Sequence, residues 1–193
     1  AEERTLTDAY RTTKKAPAPQ GQGLNDLYVR FFRMAERRIV EKTGRGIVCF
    51  ISNYSWLDGL SFTGMRERYL EVFDKIWIDC LNGDKYKTGK LTPDGKPDPS
   101  VFSTEHNREG IQVGTAIALL TRSEIAPSLP EVGFRQFWGA AKRNDLLESV
   151  WAGRQYEAVE PLQELGLSLF PAFAAAGYFL WPLLTQLMPI SSP

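Results

Sequence analysis

The stretch GIVCFISNYSWL, residues 46–57, decides how the chain is interpreted. It begins with an uninterrupted apolar run, which predicts a strand covered on both faces, as in a parallel sheet. The run then changes to polar and aromatic residues. Ligands of open α/β sheets lie at the carboxyl ends of strands, so Asn53, Ser55 and Trp56 are candidates to line a pocket for a small molecule or a base. The same side chains could instead cap a helix and fill the core, and their position leaves both possibilities open.

The elements around this strand predict the fold class. Apolar residues at helical spacing predict one helix from Asn25 or Asp26 to the glycine-containing stop at 43–46, and another over residues 60–72. Strands are predicted at 73–81 and 111–120. No helix is evident between these two strands, so we expect them to pair antiparallel across a long polar loop. The order predicts an α/β fold with an antiparallel edge hairpin.

Beyond the hairpin, residues 134–150 combine a strand-like start with a helix. Asn144 or Asp145 could cap that helix.

Composition indicates a soluble chain without a bulk charge preference. The 193 residues suggest one domain or slightly more, and 43% of them are hydrophobic, enough for a core. Lys plus Arg equals Asp plus Glu at 23 each, so net charge argues neither for nor against nucleic acid. Cys49 and Cys80 lie in apolar runs without a CxxC motif, which predicts reduced core cysteines in a cytosolic protein. The chain begins with Ala and lacks a signal segment, so we expect a trimmed or internal piece.

The two ends of the chain differ from its middle. Residues 1–23 are polar and rich in Thr, Lys, Pro and Gly, which predicts a linker or loop. Residues 165–193 contain no charged side chain and are long enough to cross a membrane. Because Pro171, Pro182 and Pro189 interrupt this segment, a membrane span is the less favoured interpretation.

The long polar loop carries lysines interleaved with aromatic residues. Such a pattern can bind phosphates and stack on an unpaired base, although a solvated surface loop would look the same. Loops of this length in compact domains are usually functional or disordered. The side chains concerned are Lys85, Tyr86, Lys87, Lys90, Lys96, Phe102 and Arg108.

Other catalytic motifs are not supported. TGKLT at 88–92 departs from a phosphate-binding loop in spacing and in the residue that follows Lys90. His106 is the sole histidine, no GxSxG occurs, and the cysteines lack metal-ligand spacing, so no metal site is expected. Asp79 and Asp84 bracket a strand end and could be catalytic, but the intervening Asn-Gly favours a turn.

Several long strings resemble a known family. Residues 24–57 resemble the segment that follows the NPPY motif of gamma-class adenine-N6 DNA methyltransferases. GKLTPDGKPDPSVFST and REGIQVGTAI are similar to the methyltransferase region of single-polypeptide, ATP-dependent restriction-modification enzymes of Type ISP. The resemblance covers residues 24–122 well and continues more weakly to 189.

The resemblance implies a Rossmann-like sheet that binds S-adenosylmethionine, flips an adenine out of the duplex and methylates its N6 atom. The chain has neither the glycine-rich cofactor loop nor NPPY. It therefore resembles an internal fragment, with residues 1–23 as a linker after the missing motif, 24–125 as the C-terminal half of the methyltransferase sheet, and 126–193 as a connector and the start of a target-recognition region. The resemblance implies that no catalytic residue lies in this chain, that it does not methylate DNA alone and that it does not bind S-adenosylmethionine tightly.

The resemblance also implies partners and site residues. The partners are double-stranded DNA with a flipped adenine and the helicase and nuclease parts of the parent polypeptide, in the bacterial cytoplasm and not at a membrane. The expected pocket-wall residues are Asn53, Ser55 and Trp56, and the expected contacts to DNA or the flipped base are Lys90, Lys96, Phe102 and Arg108. Two alternatives remain open: a non-catalytic α/β module that binds nucleic acid, and a protein anchored to a membrane by its uncharged C-terminal segment.

Overall fold

The computed structural model describes residues 6–124, 129–161 and 166–171. Within these ranges the chain forms three α-helices and a five-stranded sheet. In chain order the elements are α1 (Leu27–Glu36), β1 (Gly46–Asn53), α2 (Thr63–Val72), β2 (Lys75–Asn82), β3 (Thr115–Arg122), β4 (Glu131–Gln136), α3 (Lys142–Trp151) and β5 (Glu157–Ala158). The mixture confirms the α/β class.

The sheet has the order β1-β3-β2-β4-β5. β2 and β3 pair antiparallel as predicted, but the hairpin is not at an edge of the described sheet, because β1 flanks β3 and β4 flanks β2. β3 also pairs antiparallel with β1, so it lies between two strands that run in the same direction. β4 pairs parallel with β2. The carboxyl ends of β1, β2 and β4 therefore meet at one edge of the sheet.

The predicted start and end of the first helix are confirmed in α1. It begins at Leu27, and its buried face carries Val29 and Phe32. A π-helical segment, Arg37–Thr43, extends it to Gly44, whose positive φ of 72° ends the helix. In α3 the predicted cap is wrong, because α3 begins at Lys142 and both Asn144 and Asp145 lie inside it.

The core lies between the helices and one face of the sheet. Aromatic rings dominate it: Phe32 packs on Trp56 and on Tyr69, with centroids 5.6 and 6.0 Å apart. The uncharged C-terminal stretch begins in this core. Phe170 is fully buried and lies 5.3 Å from the ring of Phe134, and the amide of Leu169 donates to the carbonyl of Leu57.

The prediction that β1 is covered on both faces is wrong for the described chain. Val48 is buried, but Ile47 and Ile51 are 67% and 47% exposed. Cys49 is exposed as well, so only Cys80 is the buried cysteine that the sequence predicted. The described chain pairs β1 on one side only, with β3, which leaves its other edge and one face uncovered.

The N-terminal segment is irregular, as expected of a loop, but it is not a free linker. Tyr10 is fully buried and its hydroxyl donates to Glu36 at 2.6 Å. Glu67 accepts from three successive backbone amides, those of Lys14, Lys15 and Ala16. A Cβ at Gly64 would lie 1.9 Å from a carbonyl oxygen of this segment, so only glycine permits the close approach.

The sheet continues across the boundary predicted at 125/126. β4 pairs with β2 over six residues, and β5 pairs with β4, so both strands belong to the same sheet as β1, β2 and β3. The division at 125/126, with residues 126–193 as a connector and the start of a target-recognition region, stays a prediction. Most of the uncharged segment, residues 172–193, lies outside the described residues. Among those described, no helix is both long and apolar enough to cross a membrane.

Candidate functional site

The candidate site is the sheet edge where β1, β2 and β4 end. A loop of residues 83–114, here called the strand-end loop, leaves β2 and returns to β3 at this edge. Asn82 and Gly83 adopt positive φ values of 50° and 75° at its start, which confirms the predicted Asn-Gly turn. The loop is 32 residues long on these bounds, so its backbone needs many partners to be ordered.

Asp84 joins the beginning of the strand-end loop to its end. Its carboxylate accepts from the amides of Tyr86 and Lys87, both at 2.7 Å, and from the amide of Gly114 at 2.8 Å. The residue is only 3% exposed. Asp84 is therefore a structural carboxylate that is saturated by backbone donors, and this supports the turn interpretation over the catalytic one.

Asp98 fixes the middle of the loop to the ends of β2 and β4. Its carboxylate accepts from the amides of Gly83 and Gly139, both at 2.7 Å, and it pairs with the Lys142 ammonium at 2.5 Å. Lys142 also donates to the carbonyl of Leu81 at 2.7 Å. Burial lowers the pKa of Lys142 below its ordinary value, although the hydrogen bond to Asp98 opposes that shift.

Lys87 ties the loop to the segment after β1. Its ammonium lies 2.9 Å from Asp58 and 4.7 Å from the centroid of the buried Tyr54 ring. The loop is thus held at its start, its middle and its end. It is an ordered surface, not the disordered alternative for a loop of this length.

The four predicted DNA-contact residues all lie on the strand-end loop. They differ in whether their side chains already form an ion pair or a hydrogen bond. Arg108 is exposed and has no ion pair within the described residues, and Phe102 is 42% exposed. Lys96 pairs with Asp94 at 2.7 Å. Lys90 donates to the backbone carbonyl of Glu109. The side chains of Arg108 and Phe102 are therefore the most available of the four to contact a ligand.

The three predicted pocket-wall residues divide between surface and core. The side chain of Asn53 accepts from the amide of Ser55 at 2.8 Å and so caps the short 3₁₀ turn Tyr54–Leu57. Asn53 and Ser55 are half-buried, whereas Trp56 is fully buried among core rings. Trp56 could therefore support a pocket only indirectly, because its ring does not reach the surface. The pocket-wall assignment stays a prediction.

One aromatic residue at this edge was not singled out from the sequence. Trp138, just after β4, lines a cleft of about 650 Å³ together with Pro93, Lys96 and Pro97. Its indole N–H donates to the side chain of Gln136 at 2.8 Å. The sequence signal was the QFWG stretch that follows a strand, but only the fold shows that it faces the turn around Lys96.

The remaining candidates have structural explanations. Asp79 forms a two-point ion pair with Arg135, at 2.7 and 2.9 Å, on the sheet face opposite the aromatic core. His106 lies exposed in the strand-end loop. Within the described ranges no three His, Cys, Asp or Glu side chains come together as a metal site.

Comparison with known proteins gives similarity in fold. No protein-family model matches the sequence, and no curated protein matches it. Solved structures do match, among them a DrdV–DNA complex, with a TM-score of 0.63, 23% identity and 86% of this chain covered. The ATP-dependent Type ISP restriction-modification enzyme LlaBIII bound to DNA matches with a TM-score of 0.61 and 20% identity over 84% of this chain. A nuclease-deletion mutant of the Type ISP enzyme LlaGI, in complex with a DNA substrate mimic, matches with a TM-score of 0.61, 21% identity and the same coverage.

The chain corresponds to a small part of each of these proteins. It spans 15% of the DrdV and LlaGI chains and 10% of the LlaBIII chain. The fold and the site together define an α/β protein with a mixed open sheet and an ordered polar loop at its carboxyl edge. That fold occurs within restriction-modification enzymes solved on DNA.

Proposed function

We propose that this chain forms the C-terminal half of an adenine-N6 DNA methyltransferase domain in a Type ISP-like restriction-modification enzyme, with the strand-end loop facing DNA. The observation that carries the proposal is the match of 84–86% of the chain to parts of enzymes solved with DNA. The parent protein transfers a methyl group from S-adenosylmethionine to adenine N6 in the bacterial cytoplasm. Its helicase and nuclease parts are the other partners.

The sheet supports a Rossmann-like half. An antiparallel strand, β3, lies between the same-direction strands β1 and β2, so β1, β2 and β4 run in one direction and β3 runs opposite to them inside the described sheet. β1 has the apolar sequence of a covered strand, yet it leaves Ile47 and Ile51 exposed. Long apolar edge strands are normally protected in native proteins. Further strands and helices of the parent polypeptide would cover β1 here.

The described residues do not fit a complete site for S-adenosylmethionine. In Rossmann folds that bind dinucleotides, a carboxylate binds the ribose and a glycine-rich turn lets the backbone approach the cofactor closely. At this edge Asp84 and Asp98 are buried; Asp84 accepts three backbone amides, and Asp98 accepts two and pairs with Lys142, so neither is available. No step of methyl transfer is therefore assigned to a residue of this chain.

The DNA surface is made of exposed groups on the ordered loop. Arg108, which forms no ion pair with any described residue, offers its guanidinium to a phosphate, and Phe102 offers a half-exposed ring to a base. Lys90 and Lys96 lie on the same loop, and Trp138 faces the turn that carries Lys96. Because the loop is held by buried carboxylates, binding would cost little ordering entropy.

A DNA-binding measurement tests this surface. Fluorescence anisotropy with a labelled duplex of about 25 base pairs should show weak, salt-dependent binding by the whole chain. Arg108→Ala should weaken it at every sequence and lower the salt slope by about 1. Arg45→Ala, at the opposite edge of the sheet, is the matched control and should change nothing. Equal effects of the two substitutions, or no binding at low salt, would refute the proposed surface.

Two further measurements test whether the isolated chain lacks cofactor binding and methyl transfer. Isothermal titration of the chain with S-adenosylmethionine should give no binding heat, and a methyl-transfer assay on adenine-containing duplex should give no turnover. Turnover by the isolated chain would show that a catalytic motif has been missed and would overturn the proposal of an incomplete domain.

A further inference from the structure

Helix α1 has apolar residues on two opposite sides. Its inner side packs into the core through the buried residues Val29 and Phe32. On the opposite side Leu27, Phe31 and Met34 are 65%, 51% and 56% exposed. We call these three residues the α1 outer face. Their spacing of four and three residues places them in one row along the helix.

Such a face is unusual for a helix at a protein surface. A surface helix normally carries polar and charged residues opposite its core-facing side, whereas a helix that is apolar on both sides lies between two layers. Single exposed apolar residues need no explanation, but three large ones in a row form a patch. The α1 outer face therefore has the composition of an interface.

Cations flank the α1 outer face. Arg30 is half-buried and Arg38 and Lys42 are exposed, and none of the three forms an ion pair within the described residues. Glu41, in the same segment, is already held by Arg33 and Arg37. Asp26 precedes Leu27, but the three cations outnumber it, so the surroundings of the apolar row carry a net positive charge.

The charge pattern selects among possible occupants. A second copy of this chain would set these cations against their own equivalents, which like-charge repulsion disfavours. The chain's own residues 165–193 carry no carboxylate to pair with them. An amphipathic helix with an apolar stripe and acidic flanks satisfies both the apolar row and the cations.

We propose that the α1 outer face is a docking site for an acidic amphipathic helix, which packs its apolar stripe on Leu27, Phe31 and Met34 and its carboxylates on Arg30, Arg38 and Lys42. Helices associate by packing ridges of side chains three or four residues apart into the grooves of a neighbouring helix. The inference stands on α1 alone and holds whether or not the strand-end loop binds DNA.

The test uses the whole chain and two designed helical peptides of about 15 residues, with the same leucine stripe and with either glutamate or lysine flanks. Fluorescence anisotropy of labelled peptide should show that the glutamate peptide binds at least about tenfold more tightly. Phe31→Gln should weaken that binding by about tenfold or more, since a buried aromatic anchor is lost. Leu147→Gln, at an exposed leucine of α3, should leave it unchanged.

A charge reversal separates docking from non-specific adhesion. The double variant Arg30→Glu/Arg38→Glu should reverse the preference and bind the lysine peptide more tightly. Equal binding of the two peptides, or an unaffected Phe31→Gln variant, would overturn the proposal. So would a concentration-dependent dimer that Phe31→Gln abolishes in sedimentation, which assigns the face to a second copy. Binding to anionic phospholipid vesicles in preference to the glutamate peptide would assign it to a membrane and overturn it equally.

Discussion

The aromatic core and the strand-end loop are neighbours held together by opposite means. In the core, Phe32, Trp56 and Tyr69 stabilise the fold through apolar burial and ring contacts at 5.6 to 6.0 Å. In the loop, Asp84 and Asp98 stabilise an irregular backbone by accepting its amides. The first kind of stabilisation is spread over many weak contacts, and the second is concentrated in a few buried polar groups, chiefly these two carboxylates.

The difference teaches where each region is vulnerable. Apolar contacts are non-directional, so a core position loses stability roughly in proportion to the volume removed. A buried carboxylate is directional, and its loss leaves several donors without partners at once. We therefore expect core substitutions to weaken the whole sheet, and carboxylate substitutions to open the loop first.

The largest effect is expected for Phe32→Ala. The ring is 1% exposed and contacts Trp56, Tyr69 and Phe50. Its removal should lower the free energy of unfolding by about 3–5 kcal/mol, because a cavity replaces a buried ring. Urea denaturation followed by tryptophan fluorescence measures the loss. A matched substitution on the exposed side of the same helix, Phe31→Ala, should change the midpoint little.

A somewhat smaller effect is expected for Asp98→Ala. The change leaves the amides of Gly83 and Gly139 unsatisfied and the Lys142 ammonium buried without its partner, which should cost about 3 kcal/mol. Hydrogen exchange should rise first at Gly83 and Gly139, while β1 stays protected. Asp94→Ala, at an exposed ion pair of the same loop, is the control and should leave exchange unchanged. A uniform rise in the hydrogen-exchange rates across the sheet would contradict the expectation that the loop opens before the core.

The smallest effect is expected at Glu67, which anchors the N-terminal segment. Burial by itself raises the pKa of Glu67, but the backbone N–H groups of Ala16, Lys14 and Lys15 outweigh it and hold the pKa below its ordinary value. The resulting stabilisation is therefore present above the unfolded-state pKa of about 4.3 and is lost as pH falls through the lower folded-state pKa. Glu67→Gln should cost about 1–2 kcal/mol at neutral pH.

The control for that variant is Glu71→Gln, one turn further along α2. Among the residues that the structure describes, Glu71 pairs only with the exposed Lys14. Thermal melts between pH 3 and 7 should show that Glu67→Gln flattens the acid limb and that Glu71→Gln does not. If both variants keep the acid limb of the parent chain, the amide contacts of Glu67 do not carry the stability assigned to them.

Local patterns predicted the regular elements well. The spacing of apolar residues located α1, α2 and both hairpin strands, because periodicity reports which side of an element is buried. The Asn82-Gly83 turn and the Gly44 stop were also readable, since both need positive φ. The cap of α3 was not, because propensity favoured Asn144 and Asp145 while the packing of Lys142 onto Asp98 and Leu81 set the start earlier.

The candidate site was predicted in part. The strand-end loop was recognised from its length and its lysines, but the state of each lysine was not. Lys87 reaches Asp58, Lys85 reaches Glu109 and Lys96 reaches Asp94, and only coordinates show which cations are already paired. Trp138 was missed because its cleft is formed by a segment more than forty residues earlier in the chain.

The sequence by itself determined the α/β class, the hairpin and the place where the chain turns polar after an apolar strand. These features follow from short-range periodicity and turn chemistry, which neighbouring residues carry. Only the tertiary structure decided that β3 lies between β1 and β2, that Trp56 is a core ring, and that Asp84 and Asp98 hold the loop. Those facts depend on contacts between residues distant in the chain, where burial and the need to satisfy backbone amides decide the outcome.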